Sequence, residues 1–290
     1  MSILDKIVMG SSDKVANCAI GLGNSEYHNN KILYATIKFL SQFKQNEFLK
    51  IYLFGEKEYT DLISENSSYT KHRQKIELVD SENPPKTIFE YLSDFKVNCI
   101  IRGSLGSSQF LEQAKEVFEI QKIHRLALLE THSGSQFFYG PVGIDECKDL
   151  SSKLDFVNLA LDQIKSFGLN PNVSILSGGR QGDLGRNARV DQTIKEAKEV
   201  VKHFQEMYPD ILISHDEILI ENAVDNNANL IIAPDGISGN LIYRTLVHLG
   251  AGKAYGAIYM GLNKILVDTS RVGNLNEIYG ALLLAYSLIE

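Results

Sequence analysis

A mixed α/β fold, three layers with a mostly parallel sheet between helices, is predicted by three features of the sequence. Short β-branched or aromatic runs alternate with longer segments of helical period, and the alternation persists along the whole chain. Gly- and polar-rich turns directly follow several of the short runs, as strand-to-helix connections in open α/β sheets do. Length agrees: 290 residues, 44% hydrophobic and 22% charged, suffice to bury roughly 75% of the unfolded surface in one or two globular domains.

The elements follow in order. Short runs at 5–10 and 15–23 straddle a turn, and 29–44 places Ile32, Leu33, Thr36, Ile37, Phe39 and Leu40 on one helical face. Strands are predicted at 50–55, 75–80 and 97–103, with a helix at 86–95 opened by Pro84-Pro85. A strand at 124–130 leads through a Gly-rich connection to a helix at 150–168, a strand at 172–177, a long polar loop and a helix at 190–207. Strands at 210–214, 229–234 and 254–260 follow, separated by helices near 216–224 and 239–250; 264–268 and 275–288 complete the pattern as strand and helix. About nine strands exceed what one compact α/β layer usually needs, so two subdomains flanking a cleft are expected, with a boundary near residue 121.

Composition narrows the function. Twenty-nine Lys and Arg against 36 Asp and Glu leave a formal charge of −7, which gives no general attraction to nucleic acid or to an anionic membrane surface. Cys18, Cys99 and Cys147 are too few and too widely spaced for a disulfide framework and read as ordinary thiols of a reducing compartment. The first residues include Asp5 and Lys6 with no continuous apolar stretch, a poor signal peptide, and even 278–290 falls short of the about 18 apolar residues of a spanning helix. A cytoplasmic protein without membrane insertion is expected. His124, His132, His203, His215 and His248 lack the HExxH spacing, so packing or surface roles are expected and no metal site is.

Chemistry is sought where turns follow strands. In 177-SGGRQGDLGR-186 the glycines allow successive backbone N–H groups to face an anion, and Arg180 and Arg186 can add planar forks; Ser177, Gly179, Arg180 and Arg186 are the candidates. The loop matches neither GxxxxGK[ST] nor GxGxxG. In 233-APDGISGN-240, Asp235, Ser238 and Asn240 stand where a helix begins and its free N–H groups favour an anion, although capping alone accounts for such residues. The turn 102-RGSLGSS-108 contributes Arg102 and Ser104. The segment 268-DTSRVGNLNE-277 sets Ser270 beside Arg271, with Glu277 near the following helix start to hold or titrate them.

The order and spacing of these motifs resemble the phosphate acetyl/butyryl transferase superfamily from about Val97 onward, above all in 229-NLIIAPDGISGNLIYRTLVHLG-250 and 257-AIYMGLNKILVDTSRVGNLNEI-278. The resemblance implies a two-subdomain fold of the isocitrate/isopropylmalate dehydrogenase-like kind, residues 1–121 with 255–290 against 122–254 across a cleft, and a homodimer. The length and the SGGRQGDLGR and TSR variants look closer to the methanogen marker protein 4 group, MtxX-type proteins provisionally named methyltransferases of methanogenic archaea. Ser270 then matches the serine that assists the coenzyme A thiol, Arg271 the adjacent phosphate-binding arginine, and Glu277 their carboxylate partner in place of Asp. Departures are the missing arginine in the helix at 109–119, for which Arg102 can substitute from the strand end, and Val272 where the family has glycine. They weigh against acyl transfer with coenzyme A and leave a small anionic or phosphorylated ligand in place. No S-adenosylmethionine motif is present, since 21-GLGNS-25 is too short, so a methyl donor would be a pterin or a corrinoid protein and the cofactor stays open. Three functions are carried forward: a methyltransferase of methanogenesis, a phosphate acyltransferase using acyl phosphate and coenzyme A, and a non-catalytic anion-binding or assembly factor for a methyl-transfer complex.

Overall fold

The computed structural model describes residues 1–9, 14–271 and 273–289; Val272 lies outside them. The chain divides into two compact units, Ile3–Ile123 with Ala254–Glu290, and His124–Lys253. The first segment runs α1 (Ile3–Val8), β1 (Ala16–Gly21), α2 (Glu26–Gln42), β2 (Leu49–Gly55), α3 (Lys57–Ser64), α4 (Ser67–His72), β3 (Ile76–Asp80), α5 (Pro84–Ser93), β4 (Cys99–Ile101) and α6 (Ser107–Val117). The second unit holds β5 (His124–Glu130), β6 (Gln136–Gly140), α7 (Leu150–Ser166), β7 (Asn172–Leu176), a 3-10 turn (Gln181–Asp183), α8 (Ala188–Met207), β8 (Leu212–Glu217), α9 (Ile220–Asp225), β9 (Leu230–Ile232) and α10 (Gly236–His248). The chain ends with β10 (Lys253–Met260), β11 (Ile265–Asp268) and α11 (Leu275–Leu288).

In the first unit the strand order is β3-β2-β1-β4-β11-β10, parallel up to β11 and antiparallel at β11/β10. Register sets Ala19, Ile100 and Leu266 in one row, and this face packs with Phe89, Leu92 and Phe110 of α5 and α6. Strand alternation turns Val267 to the opposite face, where α11 packs against α2 and Phe39 meets Tyr286 edge to face at 5.6 Å. In the second unit the order is β5-β6-β9-β7-β8, with only the β5/β6 pair antiparallel. Its core includes Phe138 stacked on Phe167 and a fully buried Lys153 whose Nζ donates to Glu196 Oε2 at 2.9 Å, joining α7 to α8.

The parallel architecture is the one predicted, with local corrections. Residues 5–8 lie in helix α1, which buries Ile3, Leu4 and Ile7, whereas the sequence reads as a short run before a turn. The Gly-rich connection after 130 contains a strand, β6, and the helix expected near 216–224 begins as β8 and becomes helical only from Ile220. Helices α3 and α4 are additions; α3 buries only Thr60 and Ile63 and α4 no residue, so neither presents a strong apolar stripe.

Candidate functional site

Parallel strands deliver their C-terminal ends to loops that backbone geometry keeps short and tight. Gly103 adopts φ +64, and a Cβ there would stand 2.1 Å from the Gly21 carbonyl, so the β1 and β4 loops touch through bare backbone. Next to it Arg102 is buried and fully engaged. Its Nε pairs with Asp268 Oδ1, its Nη1 donates to the Leu105 carbonyl at 2.7 Å and its Nη2 donates to the Thr269 carbonyl. Ser104 is equally committed: its Oγ accepts the Gly23 N–H at 2.7 Å and donates to Asn29 Oδ1 at 2.8 Å. Both residues stand at the strand end anticipated for them, where they tie the β1, β4 and β11 loops together.

The β11–α11 loop is more open. Glu277, buried in the first turn of α11, accepts the Ser270 backbone N–H at 2.5 Å, and Asn274 caps the same turn by accepting the Glu277 N–H at 2.9 Å. Among the described residues the Ser270 hydroxyl has no hydrogen-bond partner. Arg271 is exposed, and its Nη2 donates to Asn24 Oδ1 at 2.7 Å. A guanidinium braced at one corner presents its remaining donors to solvent, the arrangement that suits an oxyanion. The cations of Arg271 and Lys31 also act on His28, whose pKa is lowered first by burial and then by these charges, so the ring is neutral at physiological pH.

Burial raises the Glu277 pKa to about 7; Asp268 pushes the same way, while the Ser270 N–H and Arg102 oppose it. The protonated form is therefore favoured in the folded state. Its stabilising contribution is complete below about pH 4.5 and is lost as pH rises toward and through 7, an effect of about 3 kcal/mol. The urea midpoint of the wild type should fall between pH 5 and 8 relative to Glu277→Gln, whose amide keeps an acceptor for Ser270 and does not titrate. Parallel profiles for the two proteins would show that the carboxylate is ionised throughout.

In the second unit the 177–186 loop closes on itself. Ser177, buried, donates to the Gly179 carbonyl at 2.8 Å and lies 2.9 Å from His215 Nε2. Four of the N–H groups expected to face an anion are used internally: Gly178 on Thr193 Oγ1, Arg180 on Asp183, Gln181 on Glu217 and Gly185 on Asp191. Arg186 pairs with Asp183, and the exposed Arg180 is the loop's more available fork. Gly179 packs so closely on Val190 that a Cβ would lie 2.5 Å from it.

Asp235 caps α10, accepting the Ser238 N–H at 2.8 Å and the Ser238 Oγ at 3.0 Å, while Arg189 Nη2 donates to its other oxygen at 3.1 Å. Burial works to raise the Asp235 pKa, but the Ser238 and Arg189 bonds outweigh it and hold the carboxyl below its ordinary value. Asn240 Nδ2 donates to the Val142 carbonyl at 2.8 Å, and at Gly236 a Cβ would lie 1.8 Å from the Gly143 carbonyl. The segment after β6 thus lies directly on the first turn of α10. Capping and loop anchoring occupy Asp235 and Ser238, while the Asn240 carbonyl oxygen is not used in that anchor.

Sequence reasoning missed Asn24, Arg189 and the Ser177 contact of His215. Asn24 sits in the short 21–25 glycine turn and Arg189 three residues past Arg186, but their partners lie far away in sequence, so no local pattern marks them. Among the described residues no group of three or more His, Cys, Asp or Glu side chains could hold a metal ion, and no helix is long and apolar enough to cross a membrane.

The chain matches the phosphate acetyl/butaryl transferase family over residues 58–286. A protein of Methanosarcina barkeri with the provisional name methyltransferase mtx subunit X is 46% identical over 199 residues, 69% of this chain and 72% of that protein. Among solved structures, a branched-chain phosphotransacylase from Enterococcus faecalis V583 superposes with a TM-score of 0.70 at 17% identity, covering 95% of this chain and 100% of that one. A 4-hydroxythreonine-4-phosphate dehydrogenase from Klebsiella pneumoniae gives a TM-score of 0.59 at 10% identity, with the same coverages. At these identities the two structures speak for the fold, which is common to phosphotransacylases and this dehydrogenase class.

Proposed function

We propose, from the premise that this chain belongs to the phosphate acetyl/butaryl transferase family and groups within it with the mtx subunit X proteins, that it is a transferase of methanogen methyl metabolism acting on a small anionic or phosphorylated ligand. The observation that carries the reading is the Ser270–Arg271 pair: a hydroxyl with no partner among the described residues, on a backbone fixed by Glu277, beside an exposed guanidinium braced by Asn24. In this reading Ser270 Oγ accepts a hydrogen bond from the attacking group and so orients it, and Arg271 holds the oxygens of the anionic ligand. Glu277 fixes the Ser270 backbone. Arg102 and Ser104 shape the floor of that loop, and in the second unit Ser177 and Gly179 set a loop on which Arg180 and Arg186 offer cationic forks. Asp235, Ser238 and Asn240 order the start of α10 in the second unit.

The test is a turnover screen of the purified protein with acyl phosphates plus coenzyme A, and with methyl-pterin and methyl-corrinoid donors, repeated for Ser270→Ala and Arg271→Ala. Methyl transfer abolished in both variants supports the proposal. Acyl-phosphate turnover abolished in both moves the function to phosphate acyltransferase, and methyl transfer surviving both keeps an enzyme but discards this site. The internally satisfied amides of the 177–186 loop favour a second reading, a non-catalytic anion-binding or assembly factor, which absence of turnover together with capture of a methyl-transfer subunit would support.

A homodimer through α10 is part of the same proposal. This helix buries only Gly236 and Gly239, and Ile237, Leu241 and Leu249 are 53%, 61% and 84% exposed. So apolar a face is suited to a second copy. Light scattering should give twice the chain mass, and Leu241→Glu should reduce it to one.

A further inference from the structure

The loop that bears Ser270 and Arg271 is tied to a block of buried polar contacts contributed from far away in sequence. At the end of β1 the Gly23 N–H donates to Asn29 Oδ1 at 3.1 Å and to Ser104 Oγ at 2.7 Å, and Asn29 Nδ2 donates back to the Gly23 carbonyl at 2.8 Å. Ser104 Oγ donates in turn to Asn29 Oδ1 at 2.8 Å. Asn29 and Ser104 are 1% and 4% exposed, so water does not compete for these bonds. A Cβ at Gly23 would stand 2.2 Å from the Ser104 carbonyl oxygen, which leaves the β1–α2 turn a single seat on the β4 loop. Asn24 is the next residue, and its backbone leaves that seat already aimed.

The same block reaches the β11–α11 loop. Beside Ser104, the Gly103 carbonyl accepts the hydroxyl of the buried Thr269 at 2.9 Å. Ser270 and Arg271 follow directly, and Arg271 Nη2 crosses to Asn24 Oδ1 at 2.7 Å. The contacts therefore close a ring from Thr269 through Gly103, Ser104, Gly23 and Asn24 to Arg271, which holds the arginine two residues from its backbone anchor and again at its guanidinium. An exposed arginine without such a hold samples many rotamers, and ordering it on a ligand costs affinity. A guanidinium only donates, so Asn24 must turn Oδ1 toward it, and the amide orientation is fixed by chemistry. The Asn24 side chain is exposed and makes no other hydrogen bond among the described residues. It caps no helix and supports no core.

We propose that Asn24 is a positioning residue of the anion site: it acts through Arg271, holding the guanidinium in the direction from which it meets the anion. The inference rests on the anion reading of this loop.

Titration calorimetry of the full protein with inorganic phosphate tests it. Asn24→Ala should weaken phosphate about tenfold, about 1.4 kcal/mol, while melting at the wild-type temperature without phosphate. In an Arg271→Ala background the same substitution should add no further loss, because nothing remains for it to position. The Nε–H resonance of Arg271, assigned by its disappearance in Arg271→Ala, should report a rigid side chain in the wild type and a mobile one in Asn24→Ala. An unchanged phosphate affinity in Asn24→Ala, a further loss on adding it to Arg271→Ala, or an Arg271 resonance equally rigid in both proteins would each overturn the proposal and leave the anion site standing. Absence of any phosphate response in the wild type would remove the anion reading itself, and the proposal with it.

Discussion

Glu196→Ala is expected to destabilise the protein by about 3–5 kcal/mol, a large part of the 5–15 kcal/mol that a typical domain possesses. The Lys153 side chain is 0% exposed and its Nζ donates to Glu196 Oε2; Glu196 Oε1 in turn accepts Gln192 Nε2 at 2.9 Å. Removing the carboxylate leaves an ammonium in the interior between α7 and α8 without its counter-charge. The loss comes from that stranded charge and not from the pair's own strength, because desolvation offsets most of the attraction within an intact buried pair. Adding Lys153→Met to Glu196→Ala should therefore restore most of the stability. Urea unfolding followed by circular dichroism reads both variants. A single-variant loss below about 1 kcal/mol, the range of exposed pairs, would mean that water reaches the ammonium.

Ser270→Ala is expected to lower the turnover rate by about 10²–10³ with whichever donor proves active, while KM changes little. The reason is geometric. The hydroxyl has no ground-state partner among the described residues, and its backbone is fixed independently by the Glu277 carboxylate, so the substitution leaves loop and fold in place. An interaction made only as charge develops appears in kcat. Single-turnover kinetics separate this from binding, and a KM increase with kcat unchanged would reassign Ser270 to ligand binding. Glu277→Gln provides the contrast: it retains the Ser270 N–H acceptor and should alter the pH profile more than the rate at its optimum.

The strands that were legible in the sequence are those with uninterrupted apolar character, such as Ile51 to Phe54 in β2 and Leu230 to Ile232 in β9, because burial on both faces demands such runs. Strand β6 was hidden in a Gly-rich connection: its aromatic residues Phe137, Phe138 and Tyr139 are bracketed by Gly134 and Gly140, and strand pairing rather than propensity decides the segment. Among the site residues, the Ser270–Arg271 pair and Glu277 were visible as a local motif following a strand. What the Arg102 side chain does was not visible, since its partners Asp268 and Thr269 lie more than 160 residues away and meet it only because β11 returns beside β4. The closure of the 177–186 loop was equally hidden. A glycine-rich stretch can cradle an anion or bond the side chains of neighbouring elements, and only the positions of Thr193 and Asp191 on α8 and Glu217 on β8 decide between them.

Calorimetry with inorganic phosphate as the probe tests most directly whether the loop bearing Ser270 and Arg271 is an anion site. Phosphate at one hundred times its dissociation constant should stabilise the wild type by about 2.7 kcal/mol and raise its melting temperature, with the effect weakening as salt screens the exposed guanidinium. Arg271→Ala should lose most of that response while melting at the wild-type temperature without phosphate, since Arg271 is exposed and its Asn24 contact is a surface one. Equal phosphate-dependent shifts in wild type and Arg271→Ala would contradict the account and remove this loop from the site.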